Sequence, residues 1–405
     1  MNASPSPTAK GITIAALLLG TAAIICGMLA YRGPVVGDEL VHFAQIQRFL
    51  VGDFTVDRNL LTTIPGFHVL VAAIMWASGA ESLGAARLVN AGIGALAIVA
   101  FHWLRMRASS DCDWLASLQF AALPILFPFF FLAYTDVLSL ALVLGAVAAS
   151  LTRRHRLSAA ILVLAMLVRQ NNIIWLGLLL PLAFLQPNSA GSVSLLRTFL
   201  RDGWPYLLCV GLFFLYWFWN GSISLSTAQA SAHPNLRIGI GNIVFTLLLA
   251  GILLPIHVAR GLVHFADKVR ANPWLAIVPP LLLGLHVWGF AVDHPYNLID
   301  PRWSWRNQIL QASQAHWQLD ALIGLVAVAA ACGLASFPLR PENAAWIYPV
   351  SLVFLASSWL IETRYALIPL ALWLSFREPI DRRAELATFF LWLLVAVWLF
   401  HGVIH

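Results

Sequence analysis

The sequence predicts an all-α polytopic membrane protein folded as a single integral domain over residues 1–405. Three observations carry this reading. Hydrophobic residues make up 60% of the chain and charged residues only 10%, against about one quarter charged in soluble domains. Mean hydropathy is +0.81. Apolar runs recur along the whole length, many approaching the ~20 residues that a helix needs to cross a bilayer. Helices follow because lipid offers no water to satisfy open backbone groups.

Taken in order, the candidate spans are roughly 12–30, 88–104, 115–133, 137–152, 157–168, 173–186, 205–219, 243–259, 274–292, 319–336, 345–360, 365–376 and 386–403. The first is followed by many more and lacks a small-residue cleavage site, so it reads as a retained helix and not a signal peptide. The run from Pro65 to Gly79 is ambiguous. If it crossed, Arg105, Arg107 and the Arg153/Arg154/Arg156 group would lie opposite Lys10. Read as interfacial or re-entrant, it leaves most basic loops on one side, as the positive-inside rule expects. The sequence therefore predicts about 13 transmembrane helices with the amino end inside. Arg32, Arg48, Arg58, Arg87, Arg169, Arg237, Arg302, Arg306 and Arg364 fall outside, against the rule, which marks them as candidates for anion binding.

Residues 31–87 form the first outer loop in this topology. It carries the adjacent carboxylates Asp38 and Glu39 where the first apolar run ends. Charge is expensive beside hydrocarbon, so such a pair points to a bound partner or a chemical task; a merely solvated pair is the plain alternative. An amphipathic helix is expected directly after them, with Leu40, Phe43, Ile46, Gln47 and Leu50 on one face and Gly52-Asp53 ending it. Thr62-Thr63-Ile64-Pro65-Gly66 then breaks the chain.

Four further polar clusters fall on the same face: Tyr134-Thr135-Asp136; Arg169-Gln170-Asn171-Asn172; the loop 293–318, which opens Asp293-His294-Pro295-Tyr296 and continues through Asp300, Arg302, Trp303 and Arg306; and Glu362-Thr363-Arg364-Tyr365. Each has a structural explanation. Asp136 reads equally as an N-cap, Arg169 and Glu362 as members of ion pairs, and the tryptophans as interface residues. Their convergence on one face, against inner loops that are mainly basic, favours a site. The widely spaced Cys26, Cys112, Cys209 and Cys332 imply neither a disulfide framework nor a metal motif. The net charge of +6 is not gathered into a basic block, which argues against nucleic acid as a partner.

These clusters, in this order, resemble the dolichyl-phosphate-glucose alpha-1,2-glucosyltransferase family, membrane glycosyltransferases of the GT-C class that add the terminal glucose to lipid-linked oligosaccharide. The matching residues are Asp38-Glu39 with His42, Gln45 and Gln47-Arg48; Thr62-Thr63 with Pro65-Gly66; Tyr134-Thr135-Asp136; Arg169-Gln170 with Asn172-Ile173 and Trp175; His294-Pro295-Tyr296 with Leu298, Asp300 and Arg302; and Leu360, Glu362 and Arg364-Tyr365. The family's Asp-Asn-Arg-His is Asp300-Pro301-Arg302-Trp303 here, its Glu-Pro-Arg-Tyr is Glu362-Thr363-Arg364-Tyr365, and Ile64 replaces a proline. These departures bear on the identity of the acceptor and of the donor sugar.

The resemblance implies a GT-C fold and an inverting transfer of a hexose, glucose favoured, from a polyprenyl-phosphate donor to a glycan or lipid-linked acceptor hydroxyl. It implies a periplasmic or lumenal site in an integral membrane protein, of a bacterial inner membrane or of the endoplasmic reticulum in a eukaryote. Asp38 is the expected general base, with Glu39 as alternate, and partial burial is expected to raise its pKa toward the working pH. Arg302 and Arg364, with Arg306 and Arg169 behind them, are expected to hold the leaving phosphate, since guanidinium pairs bidentately with phosphate. His42, Tyr134, Asp136, Gln170, Asn172, His294, Tyr296, Asp300, Trp303, Glu362 and Tyr365 are the sugar and acceptor candidates. No cofactor is expected; the alternative is a divalent ion on Asp38, Glu39 and Asp136. A transporter or flippase is the rival from another class, but the internal helix repeat that would mark one is not visible. A GT-C transferase of mannose or arabinose is the enzymatic rival.

Overall fold

The computed structural model describes residues 7–109, 114–185, 199–226, 234, 237–300 and 304–404. It is helical throughout, with one isolated bridge between Leu339 and Arg377 among these residues. The α-helices are α1 (Pro7–Arg32), α2 (Glu39–Leu50), α3 (Gly66–Ser78), α4 (Leu83–Ala108), α5 (Trp114–Ala121), α6 (Thr135–Leu151), α7 (His155–Val168), α8 (Leu176–Phe184) and α9 (Trp204–Asn220). Then come α10 (Gly241–Leu253), α11 (Pro255–Ala271), α12 (Val278–Gly289), α13 (Trp305–Ala315), α14 (Trp317–Ser336), α15 (Ile347–Ala356), α16 (Leu367–Phe376) and α17 (Arg382–Ile404).

Four of these, α1, α4, α14 and α17, are long and apolar enough to cross a membrane, or five spans if the bent pair α10 and α11 counts as one. Helix length alone thus shows four or five crossings among the described residues, short of the 13 expected. Two expected spans are interrupted. The run 243–259 turns by 104° between Leu253 and Pro255, where Pro255 has no amide hydrogen to continue α10. The run 115–133 stops at Ala121 and resumes as a short 3-10 turn at Phe127–Phe131, with Pro124 and Pro128 as the breakers. The ambiguous run forms α3, whose 13 residues reach only about 20 Å, short of the ~30 Å hydrocarbon core.

The amino-terminal half packs around α4, which touches α1, α3, α5, α6 and α16. The carboxy-terminal half packs around α14, which touches α10, α11, α12 and α13. A Cβ on Gly261 of α11 would lie 2.0 Å from the Gly333 carbonyl of α14, so these two backbones meet only because both positions lack side chains. Away from the acidic pair, Arg377 forms a two-pronged pair with Glu385 (2.6 Å for both contacts) and also donates to Gln119. Arg105 donates to the Ser375 and Arg377 carbonyls. This buried knot ties the ends of α4, α5, α16 and α17, and it gathers basic residues that the sequence places on the inner side.

Candidate active site

Between α1 and α4, the helix α2 turns polar residues inward. α2 buries Glu39, His42, Gln45, Ile46 and Phe49, whereas Leu40 is 67% exposed. The expected apolar face of 40, 43, 46, 47 and 50 is thus displaced by one position. The reason is partnership: the inward polar groups find hydrogen bonds inside the protein. Gln45 donates to the Thr55 carbonyl and accepts from the Asp57 amide, both at 2.9 Å, fastening the loop after the helix. His42 Nδ1 and His68 Nε2 of α3 are 2.9 Å apart.

Glu39 and Asp38 have different surroundings although they are adjacent. Glu39 is wholly buried and receives Arg87 of α4 through Nε at 2.9 Å and Nη2 at 2.5 Å. It also accepts from the Ala133 amide at 2.7 Å and the Val36 amide at 2.9 Å. Arg87 donates in addition to the carbonyls of Ala30, Gly33 and Pro34. Both carboxylate oxygens are therefore engaged by the protein, and Glu39 anchors the loop. Asp38 instead keeps half its side chain exposed (52%) and meets Arg364 Nη1 at 2.7 Å. The Arg364 guanidinium holds the Asp38 carboxyl below the ordinary carboxylate range, outweighing the upward push of burial. This is opposite to the rise expected from burial alone, because the charge partner stands closer than the sequence could show.

The remaining clusters arrive from four other segments. Arg169 pairs with Asp136 through Nη2 at 2.9 Å and donates through Nε to Thr135 Oγ1 at 3.1 Å. α6 begins at Thr135 with Tyr134 as its cap residue, so Asp136 lies inside the first turn and not at the N-cap. Its second oxygen, Oδ2, is buried with no hydrogen-bond partner among the described residues. Glu362 pairs with Arg306 and lies 4.0 Å from Arg364 Nε, which itself has no hydrogen-bond partner among the described residues. Asp38, Glu362 and Asp136 all act electrostatically on Arg364. Carboxylates and guanidiniums thus converge from α2, α6, α13 and the turns before α8 and α16.

Two buried asparagines place the segment that carries Glu362 and Arg364. Asn242 donates to the Ser358 and Leu360 carbonyls, each at 2.8 Å, and accepts the Glu362 amide at 2.9 Å. Asn297 donates to the Ile361 carbonyl at 2.9 Å and accepts the Ile361 amide at 3.0 Å. Every backbone group in these contacts is one that an extended loop would otherwise bury unpaired.

Other expected site residues make contacts of their own within the fold. Asn172 is buried and donates to Ser139 Oγ and the Ala165 carbonyl, each at 2.8 Å. Gln170 spans the Thr62 carbonyl, the Tyr216 hydroxyl and the Ile223 carbonyl. His294 is buried edge-on to the Trp359 ring and accepts the Tyr296 amide. Tyr296 is 41% exposed, and Tyr365 is partly buried against the core. Asp300 lies at the edge of the described region, and Arg302 and Trp303 lie outside the described residues. Sequence reasoning missed Arg87, His68, Asn242 and the clamp role of Asn297. Arg87 left a trace as one of the arginines on the wrong side of the rule; His68 sits in an apolar run and left none.

A profile of the DIE2/ALG10 family matches residues 34–195 and 182–375. The chain is 28% identical to a human Dol-P-Glc:Glc(2)Man(9)GlcNAc(2)-PP-Dol alpha-1,2-glucosyltransferase, over 67% of this chain and 68% of the relative. It is 26% identical to the mouse enzyme of that name over 84% and 83% of the two chains, and 23% identical to the Arabidopsis thaliana enzyme over 88% of each. No solved structure matches the chain. With Asp38, Tyr134, Asp136, Arg169, Glu362 and Arg364 all inside the matched region, this integral membrane protein belongs to the DIE2/ALG10 family.

Proposed function

We propose that the protein is an inverting glycosyltransferase that moves glucose from a polyprenyl-phosphate donor to an acceptor hydroxyl at the membrane's outer or lumenal face. The observation that carries this is the half-exposed Asp38 carboxylate standing 2.7 Å from a guanidinium whose buried Nε has no hydrogen-bond partner among the described residues. Asp38 takes the proton from the acceptor hydroxyl. The acceptor oxygen forms its bond to the anomeric carbon from the face opposite the phosphate, and the carbon–oxygen bond to phosphate breaks. The electron pair leaves on polyprenyl phosphate, whose charge Arg364 holds, with Arg306 and Arg169 in reserve. A β-linked donor gives an α-linked product.

Arg364 serves both groups in turn. A donor phosphate competes with Asp38 for the same guanidinium, and as the phosphate gains it the carboxylate loses the charge that suppresses its basicity. Base strength is thereby coupled to donor occupancy. Glu39 is assigned the anchoring role and Asp38 alone the proton. We further propose the GT-C arrangement, with the five outer clusters on the transfer face and α2 and α3 in the headgroup region.

The test is a purified-protein assay against a panel of polyprenyl-phosphate sugars, read by the mass of the glycosylated product. Glucose transfer that Asp38→Asn abolishes is the expected result. Transfer of mannose or arabinose instead would reassign the donor, a reading favoured by the departure at Asp300-Pro301-Arg302-Trp303. Full turnover by Asp38→Asn removes Asp38 as the base.

A further inference from the structure

We propose that Tyr134 is a positioning residue for Asp38, its phenol fixing the Val36-Gly37-Asp38 turn and with it the direction of the carboxylate; this rests on Asp38 being the base. The Asp38 amide donates to the Tyr134 hydroxyl at 2.8 Å. The same hydroxyl donates to the Val36 carbonyl at 3.2 Å. One side-chain oxygen therefore bridges both ends of the turn. The turn is shaped to receive it: Gly37 has φ +52, and a Cβ there would lie 2.6 Å from the Tyr134 oxygen. Only glycine combines that left-handed backbone with so close an approach.

The phenol is itself held on two sides. His42 meets it edge to face at 5.6 Å and Phe129 at 5.4 Å between ring centroids. His42 is in turn held by His68, and the neighbouring Ala133 amide is fixed by Glu39. Tyr134 is 8% exposed, and its hydroxyl is engaged by the turn. The geometry therefore assigns it to the base and not to the sugar. Asp38 caps α2 without a side-chain capping bond, so the carboxylate owes its aim to the turn and to Arg364.

The experiment compares full-length Tyr134→Phe and Asp38→Asn in lipid nanodiscs. The donor is polyprenyl-phosphate glucose, and the acceptor is the Glc(2)Man(9)GlcNAc(2) lipid-linked oligosaccharide named for the relatives. The expected result for Tyr134→Phe is a kcat per folded molecule lowered about a hundredfold, the scale of a small misplacement at a reacting centre, with donor KM within about twofold of the parent. A purely structural role would lower the yield of folded protein and leave its kcat alone. Gly37→Ala should give the same kcat loss, and the two losses should not multiply in the double variant, because the hydroxyl that meets the new methyl is gone. Tyr134→Phe with parental kcat beside an inactive Asp38→Asn overturns the proposal. If Tyr134→Phe does not accumulate, parental kcat in Gly37→Ala overturns it. Full turnover by Asp38→Asn overturns the assignment of the base, and this inference with it.

Discussion

Arg364 and Asp38 stand 326 residues apart in sequence and 2.7 Å apart in space, and the contact runs from Nη1 to Oδ2. Because the guanidinium keeps the carboxyl below its ordinary range, the base stays ionised to lower pH than an ordinary aspartate. Arg169 and His42 also act on Asp38. Removing Arg364 takes away the largest downward influence, so the acidic limb of a kcat/KM profile should move to higher pH in Arg364→Gln. Turnover at neutral pH should fall by a hundredfold or more, in the range found for lost stabilisers of developing charge. A profile whose acidic limb does not move would dissociate Arg364 from the base.

Glu39→Gln should act on stability before chemistry. It leaves Arg87 buried without its countercharge, a change that costs about 3–5 kcal/mol. Replacing both partners, as in Glu39→Leu with Arg87→Met, should recover much of that loss, since two desolvated charges disappear together. Thermal unfolding in detergent measures both. A Glu39→Gln protein with parental stability and no turnover would return Glu39 to the chemistry.

His42 gives a pH dependence of stability. Burial pushes its pKa down from 6.5 to about 4, despite the opposing pull of Asp38. The unfolded chain therefore binds the proton more readily than the folded one between these values. This contribution is complete above pH 6.5 and is lost as the pH falls toward 4. The midpoint of thermal unfolding should fall across that window in the parent and less steeply in His42→Gln.

Asn297→Ala leaves the Ile361 amide and carbonyl buried without partners and should cost about 1–3 kcal/mol. The segment it releases carries Glu362 and Arg364, so donor KM should rise in the folded fraction. Asn242→Ala should behave alike, and kinetics on protein selected for folding by size exclusion separates the two effects.

A chelator should leave turnover unchanged. Asp38 faces Arg364, Glu39 faces Arg87 and Asp136 faces Arg169, so the three carboxylates meet guanidiniums and not one another. Loss of activity in EDTA that is restored by magnesium or manganese would reverse this.

The polar clusters were legible because charge is rare in this chain, and rare charge in a membrane protein stands out against its apolar surroundings. Asp38, Asp136, Arg169, Glu362 and Arg364 were all found that way, and the structure brings them together. The partnerships were not legible. Glu39 meets Arg87 across 48 residues, and no local pattern records a contact at that range. The register of α2 misled for a related reason: apolar periodicity assumes that oily side chains point inward, whereas at a membrane the paired polar residues do. Pro255 was visible as a letter, but whether a proline kinks a long helix or turns it by 104° is decided by what packs against the bend.

The anchoring of Glu39 has a consequence for assembly in the cell. Its partners among the described residues, Val36, Arg87 and Ala133, are made within the first third of the chain. The loop that bears the base can therefore be locked while the ribosome is still translating, whereas Arg364 emerges much later. A nascent chain would present a finished carboxylate without the guanidinium that meets it. Activity becomes possible only when one of the last segments reaches the membrane, so truncation ahead of Glu362 should yield an inserted but silent protein.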